Sequence, residues 1–84
     1  MENKLRAIMA RILRLPAERI GPDAAIGSVP NWDSTAHMRI MLALEDEFGV
    51  ELNESQMVEM TSLAKIRAVV VEELRAVKDR PPSG

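Results

Sequence analysis

Cysteine is absent from the 84 residues, which excludes disulfides, thiolate metal sites and a thiol nucleophile together and suits a reducing compartment. No apolar run approaches the length of a bilayer span, and Met1-Glu2-Asn3-Lys4 opens a mixed pattern without the apolar core of a signal peptide. These absences read as a cytoplasmic protein with no membrane insertion. A single His and carboxylates scattered along the chain give no recognisable metal-ligand spacing. Excess positive charge is also missing. The formal net charge is −2, and between Asp33 and Met60 the acids Asp33, Glu45, Asp46, Glu47, Glu51, Glu54 and Glu59 face one cation, Arg39. That field argues against nucleic acid and suits a partner presenting Lys or Arg; a merely solvated acidic face is the other reading of the same charges.

What is present is helical periodicity broken by one long loop. Leu5, Ile8, Met9, Ile12, Leu13 and Leu15 follow the i, i+3, i+4, i+7 pattern of an amphipathic helix over Asn3 to Leu15. Pro16, Gly21, Pro22, Gly27 and Pro30 then exclude continuous regular structure, while Ile20, Ile26 and Val29 predict that the loop packs over the helices. A second helix should start at Asp33 or Ser34, both capping types, and stop before Gly49. Asn53 with Gln56 three residues later resembles a capping box and opens a brief helix to about Met60. Thr61 and Ser62 offer a cap for a last helix from about Leu63 to Val77. No alternating run demands a strand. The expectation is one all-α domain over 1–79, a small four-helix bundle with three longer helices and a short third, and a disordered tail over 80–84.

The second helix carries more apolar residues than one core stripe needs. Ile40, Leu44 and Phe48 make a core face that Met41 widens, and Met38 and Leu42 fall to its side. Either these two remain partly exposed as an adaptable partner patch, or the loop from Pro16 to Pro30 covers them. Ser34 sits in the first turn, where free backbone N–H groups and the positive end of the helix dipole favour a phosphate diester. A serine before an apolar-periodic run also serves as a plain cap, so position alone leaves both roles open.

Trp32-Asp33-Ser34-Thr35, followed by Met38, Ile40, Leu42 and Leu44-Glu45-Asp46-Glu47-Phe48-Gly49-Val50, resembles the signature of acyl carrier proteins. The Thr61-Ser62 pair and the upstream Leu15-Pro16-Ala17-Glu18-Arg19-Ile20 with Pro22-Asp23 fit the same pattern, so the resemblance spans residues 4 to 78. It implies a four-helix carrier fold and a covalent 4′-phosphopantetheine arm on Ser34, flanked by Asp33 and Thr35. A phosphopantetheinyl transferase would attach the arm from coenzyme A, and its thiol, which the cysteine-free chain cannot supply, would hold acyl groups as thioesters. The implied docking surface comprises Met38, Arg39, Leu42, Glu45, Asp46, Glu47, Glu54 and Glu59. The implied partners are that transferase, an acyl-loading ligase or transferase, and condensing or acyl-transfer enzymes, served by a monomeric, non-catalytic shuttle.

Three positions depart from the family pattern and suggest a dedicated carrier instead of the general fatty-acid one. Thr35 stands where Leu usually follows the serine, and Arg39 reverses charge on an otherwise acidic helix. His37 lies one turn beyond Ser34, either as a cation near the phosphate or as a solvated side chain. Trp32 either fills the core at the loop end or contacts cargo. Ser34, His37 and Asp33 do not make a hydrolase, because neighbouring positions on one helix give poor triad geometry and no oxyanion-hole motif accompanies them. Two alternatives remain: an aminoacyl or aryl carrier of a peptide-forming pathway, and an unmodified helical adaptor that uses Ser34 only as a cap.

Overall fold

The computed structural model describes residues 1–79; the tail 80–84 lies outside the described residues. Helix α1 spans Glu2–Leu13 and buries Leu5, Ile8, Met9 and Leu13. It stops short of the predicted Leu15. The ring of Pro16 disfavours helical backbone at Leu15, and Arg14 turns left-handed at φ 58°, ψ 46°. The N–H groups of Arg14 and Leu15 both donate to the Ala10 carbonyl. From the far end of the loop, Asn31 Nδ2 donates to the Leu13 carbonyl at 2.8 Å, which satisfies an acceptor that the helix end leaves open.

The loop holds a 3₁₀ turn at Ala17–Arg19 and buries Ile20, Ala24 and Val29, as packing over the helices requires. Ile26 is a correction: it is 38% exposed. Its segment is fastened through the backbone instead, with Ile26 N–H donating to Thr61 O and Leu63 N–H donating to Ala24 O, each at 2.9 Å. These bonds frame an isolated antiparallel bridge between Ala25 and Ser62.

Helix α2 runs Ser34–Phe48. Asp33 is its cap, with Oδ1 accepting the Ala36 N–H at 2.8 Å, and Gly49 closes it at φ 66°, a left-handed conformation that glycine adopts without a Cβ penalty. Ile40, Met41 and Leu44 are fully buried. Moving an aliphatic side chain of this size out of water contributes roughly 1.5–3 kcal/mol, so this face holds α2 in place. Phe48 is only half-buried; the Lys4 ammonium lies 5.4 Å from its ring centroid and 3.3 Å from Glu47 Oε1.

Helix α3 is short, Glu54–Glu59, and begins with the full capping box of Asn53 and Gln56. Gln56 Nε2 also donates to Glu73 Oε1 at 2.9 Å, tying α3 to the next helix. Helix α4 spans Leu63–Asp79 and starts where Ser62 Oγ accepts the Lys65 N–H. It buries Leu63, Ile66 and Val70 against α1 and α2, while Val77 at its far end is 44% exposed. The buried side chains of all these segments form a single cluster.

Candidate functional site

Ser34 is the first residue of α2, and its side chain is exposed. Because Asp33 performs the capping, the serine hydroxyl is spared that role: Ser34 Oγ joins no hydrogen bond among the described residues. The backbone N–H groups of Ser34 and Thr35 have no partner among the described residues either, whereas those of Ala36 and His37 are taken by Asp33. A free hydroxyl beside two free N–H groups at the positive end of a 15-residue helix can carry a phosphate ester and favour its negative charge. The residues present therefore fit a phosphodiester-linked arm.

His37 has a different role from either one expected of it. The indole N–H of Trp32 donates to His37 Nδ1 at 3.0 Å, and His37 Nε2 lies 2.7 Å from the Met57 carbonyl. A nitrogen that accepts the indole hydrogen carries none itself, so the ring proton is on Nε2 and is donated to Met57. The imidazole spans from the loop end to α3, half-buried, and is neither a solvated side chain nor a cation for the phosphate. The indole lies beside it, nearly coplanar at an interplanar angle of 23°, and Trp32 is itself only 4% exposed.

The expected docking residues separate into two groups. Met38 and Leu42 are 50% and 55% exposed, so the loop does not cover them. Ser34, Met38 and Leu42 follow one another at steps of four along one side of α2, and Asp46 continues the row. Arg39 is exposed and forms no ion pair among the described residues; Thr35, Ala36, Leu42 and Ala43, its neighbours one turn away, carry no charge. Glu54 and Glu59 are exposed on α3.

Glu45 and Glu47 stand apart from this group. Glu45 shares the side of Met38, but it is half-buried and its Oε2 accepts the Leu52 N–H at 2.9 Å, holding the connection to α3. Glu47 pairs with Lys4, and nine residues beyond Met38 at 100° per residue it points to the opposite side of α2.

Val58, 74% exposed on α3, was not anticipated in the sequence. A six-residue helix is too short for periodicity to show which side is out. Surface clefts lie over Gly49, Glu51, Glu73 and Val77, and over Glu59, Lys65, Ala68 and Val69; neither includes Ser34. No helix among the described residues is long and apolar enough to cross a membrane.

An unengaged serine at the head of a helix with an exposed apolar and acidic side is the arrangement that a small helical carrier requires. The family model for the phosphopantetheine attachment site matches residues 3–70, and the chain belongs to that family, the acyl carrier proteins. Members of the family are non-catalytic carriers whose cofactor is 4′-phosphopantetheine. The chain is 36% identical over 53 residues to the acyl carrier protein of Thermosynechococcus vestitus, an alignment covering 63% of this chain and 65%, just under two thirds, of that relative. It is 29% identical over 75 residues to the acyl carrier protein of Streptomyces coelicolor, covering 88% and 82% of the two chains. Identity is also 29% over 82 residues to the acyl carrier protein MbtL of Mycolicibacterium paratuberculosis, with 93% and 92% covered. In fold, the solution structure of the holo acyl carrier protein from Geobacter metallireducens superposes with a TM-score of 0.80 at 14% identity, over 99% of this chain and 97% of that one.

Proposed function

We propose that this chain carries acyl groups in the cytoplasm as thioesters on a 4′-phosphopantetheine arm esterified to Ser34, and presents them to partner enzymes. The observation that carries the reading is the division of labour at the start of α2, where Asp33 caps and the Ser34 hydroxyl stays exposed and unengaged. Ser34 Oγ provides the ester oxygen, and the free N–H groups of Ser34 and Thr35 favour the charge of the diester. When bound, the arm supplies the thiol that a chain without cysteine lacks.

The chain is in this reading the substrate of a phosphopantetheinyl transferase, then of a loading ligase or transferase, and finally the delivery partner of condensing or acyl-transfer enzymes. The surface they meet is Met38, Leu42 and Val58 as apolar anchors, rimmed by Asp46, Glu54 and Glu59, with Arg39 as an uncompensated cation. Glu45 and Glu47 add to the acidic field of α2, although their carboxylates are already engaged.

Intact mass after incubation with coenzyme A and a broad-specificity phosphopantetheinyl transferase tests the reading. One adduct on the wild-type chain and none on Ser34→Ala is the expected result. Absence of an adduct with the transferase of the native host as well would leave the unmodified adaptor as the better account.

A further inference from the structure

We propose that His37 is a positioning residue for attachment of the arm: its ring pins the turn before Ser34 and the end of α3 to α2, so that serine and α3 meet the modifying enzyme as one rigid unit. The proposal rests on Ser34 as the attachment point, while the clamp itself can be observed without any modification.

The turn leading into Ser34 is tied to α1 by Asn31 Nδ2 on the Leu13 carbonyl and to α2 by Asp33, but neither of these holds the Trp32 side chain. The turn's own backbone bonds are Trp32 N–H to Val29 O at 3.4 Å, at the long end for such a bond, and Asp33 N–H to Asn31 O at 3.1 Å. The indole bond to His37 at 3.0 Å therefore anchors the side chain that fixes this turn in the core. Helix α3, with six residues, is too short to persist unaided and depends on what it is fastened to. Gln56 fastens it to α4 through Glu73, and Met57 fastens it to α2 through His37. No backbone N–H among the described residues reaches the Met57 carbonyl, so the imidazole is its partner there.

The two neighbours also dictate the residue type. Trp32 offers only a donor and Met57 O only an acceptor, so the group between them must accept at one end and donate at the other. Lys and Arg cannot accept, ionised Asp and Glu cannot donate, and Phe can do neither. A neutral imidazole does both, and a Gln amide carries an acceptor and a donor side by side in a comparable reach. If His37 merely filled space, Phe would replace it without effect.

Arm transfer from coenzyme A by a broad-specificity transferase is measured on the full chain, with His37→Phe and His37→Gln beside wild type. His37→Phe is expected to raise KM for the carrier about five- to tenfold, the consequence of losing one or two net hydrogen bonds from the docking-competent form. Its kcat should stay within about twofold, because no reacting atom touches the ring. His37→Gln should restore KM. Trp32 emission and exchange of its indole hydrogen should differ from wild type in His37→Phe and not in His37→Gln. Trp32→Phe, which removes the donor and keeps His37, should raise KM in the same direction and covers the case of an unfolded His37→Phe. Unchanged KM in His37→Phe, or equal impairment in Phe and Gln variants, overturns the proposal. If wild type takes no adduct from this transferase or from that of the native host, the assignment of Ser34 fails, and the emission and exchange contrast still shows whether the clamp exists.

Discussion

Trp32 and His37 meet edge to edge, the indole N–H donating to Nδ1 at 3.0 Å with the ring planes 23° apart and the centroids 6.0 Å apart. The bond fixes which nitrogen of the imidazole is protonated. Two-bond proton–nitrogen correlation spectra at neutral pH should show the Nε2–H tautomer for His37 in wild type. In Trp32→Phe the same spectra should move toward the tautomer mixture of a free imidazole, since nothing then requires Nδ1 to accept.

Glu45 is the acidic residue of α2 whose replacement should be felt by the fold. Glu45→Ala leaves the half-buried Leu52 N–H without its 2.9 Å acceptor and should destabilise the chain by about 1–2 kcal/mol in chemical denaturation. Asp46→Ala, at an exposed position, should change stability by less than about 0.5 kcal/mol. Charge reversal at Asp46 or Glu59 is accordingly the cleaner probe of partner docking.

Asn31 does two things at once: it adopts φ 69° and caps the carbonyl end of α1 through Leu13. Asn31→Gly keeps the backbone conformation and loses the cap, for an expected cost of about 1 kcal/mol. Asn31→Ala loses both and should cost about 1 kcal/mol more, read as a larger fall in the urea midpoint at constant m-value.

At the start of α2 the two adjacent residues should behave oppositely. Asp33→Ala removes the acceptor of the Ala36 N–H and should cost about 1 kcal/mol, with the adduct still forming on Ser34. Ser34→Ala should abolish the adduct while thermal unfolding stays within a few degrees of wild type.

The helix boundaries set by local chemistry were readable in the sequence. Asp33, Gly49 and the Asn53–Gln56 pair act on backbone groups within a few residues of themselves, so their roles follow from spacing alone. The surplus of apolar residues on α2 left two readings of Met38 and Leu42 open, an exposed patch or cover by the loop, and their exposure decides for the first. What the sequence did not show depends on distant partners. His37 meets Met57 twenty residues away, and Glu45 reaches Leu52 across a turn. Nothing in the spacing distinguishes these two from solvated side chains. Ile26 looked like loop packing because it is apolar, but the backbone pairing with Thr61 that holds its segment at the surface leaves no mark on residue type.

The capping of α2 by Asp33 has a thermodynamic consequence for the carrier cycle. A group esterified to Ser34 displaces no hydrogen bond of the fold, and the N–H groups of Ser34 and Thr35 favour its charge only while α2 is formed, so attachment of the arm shifts the equilibrium toward the folded chain. In the proposed cycle the cargo exchanges on the thiol of the arm and leaves the ester at Ser34 and the Asp33 cap untouched, so loading and release can repeat without loosening or stiffening the scaffold. The free energy of the cargo bond is then available to the enzymes that make and break it, undiminished by any folding cost.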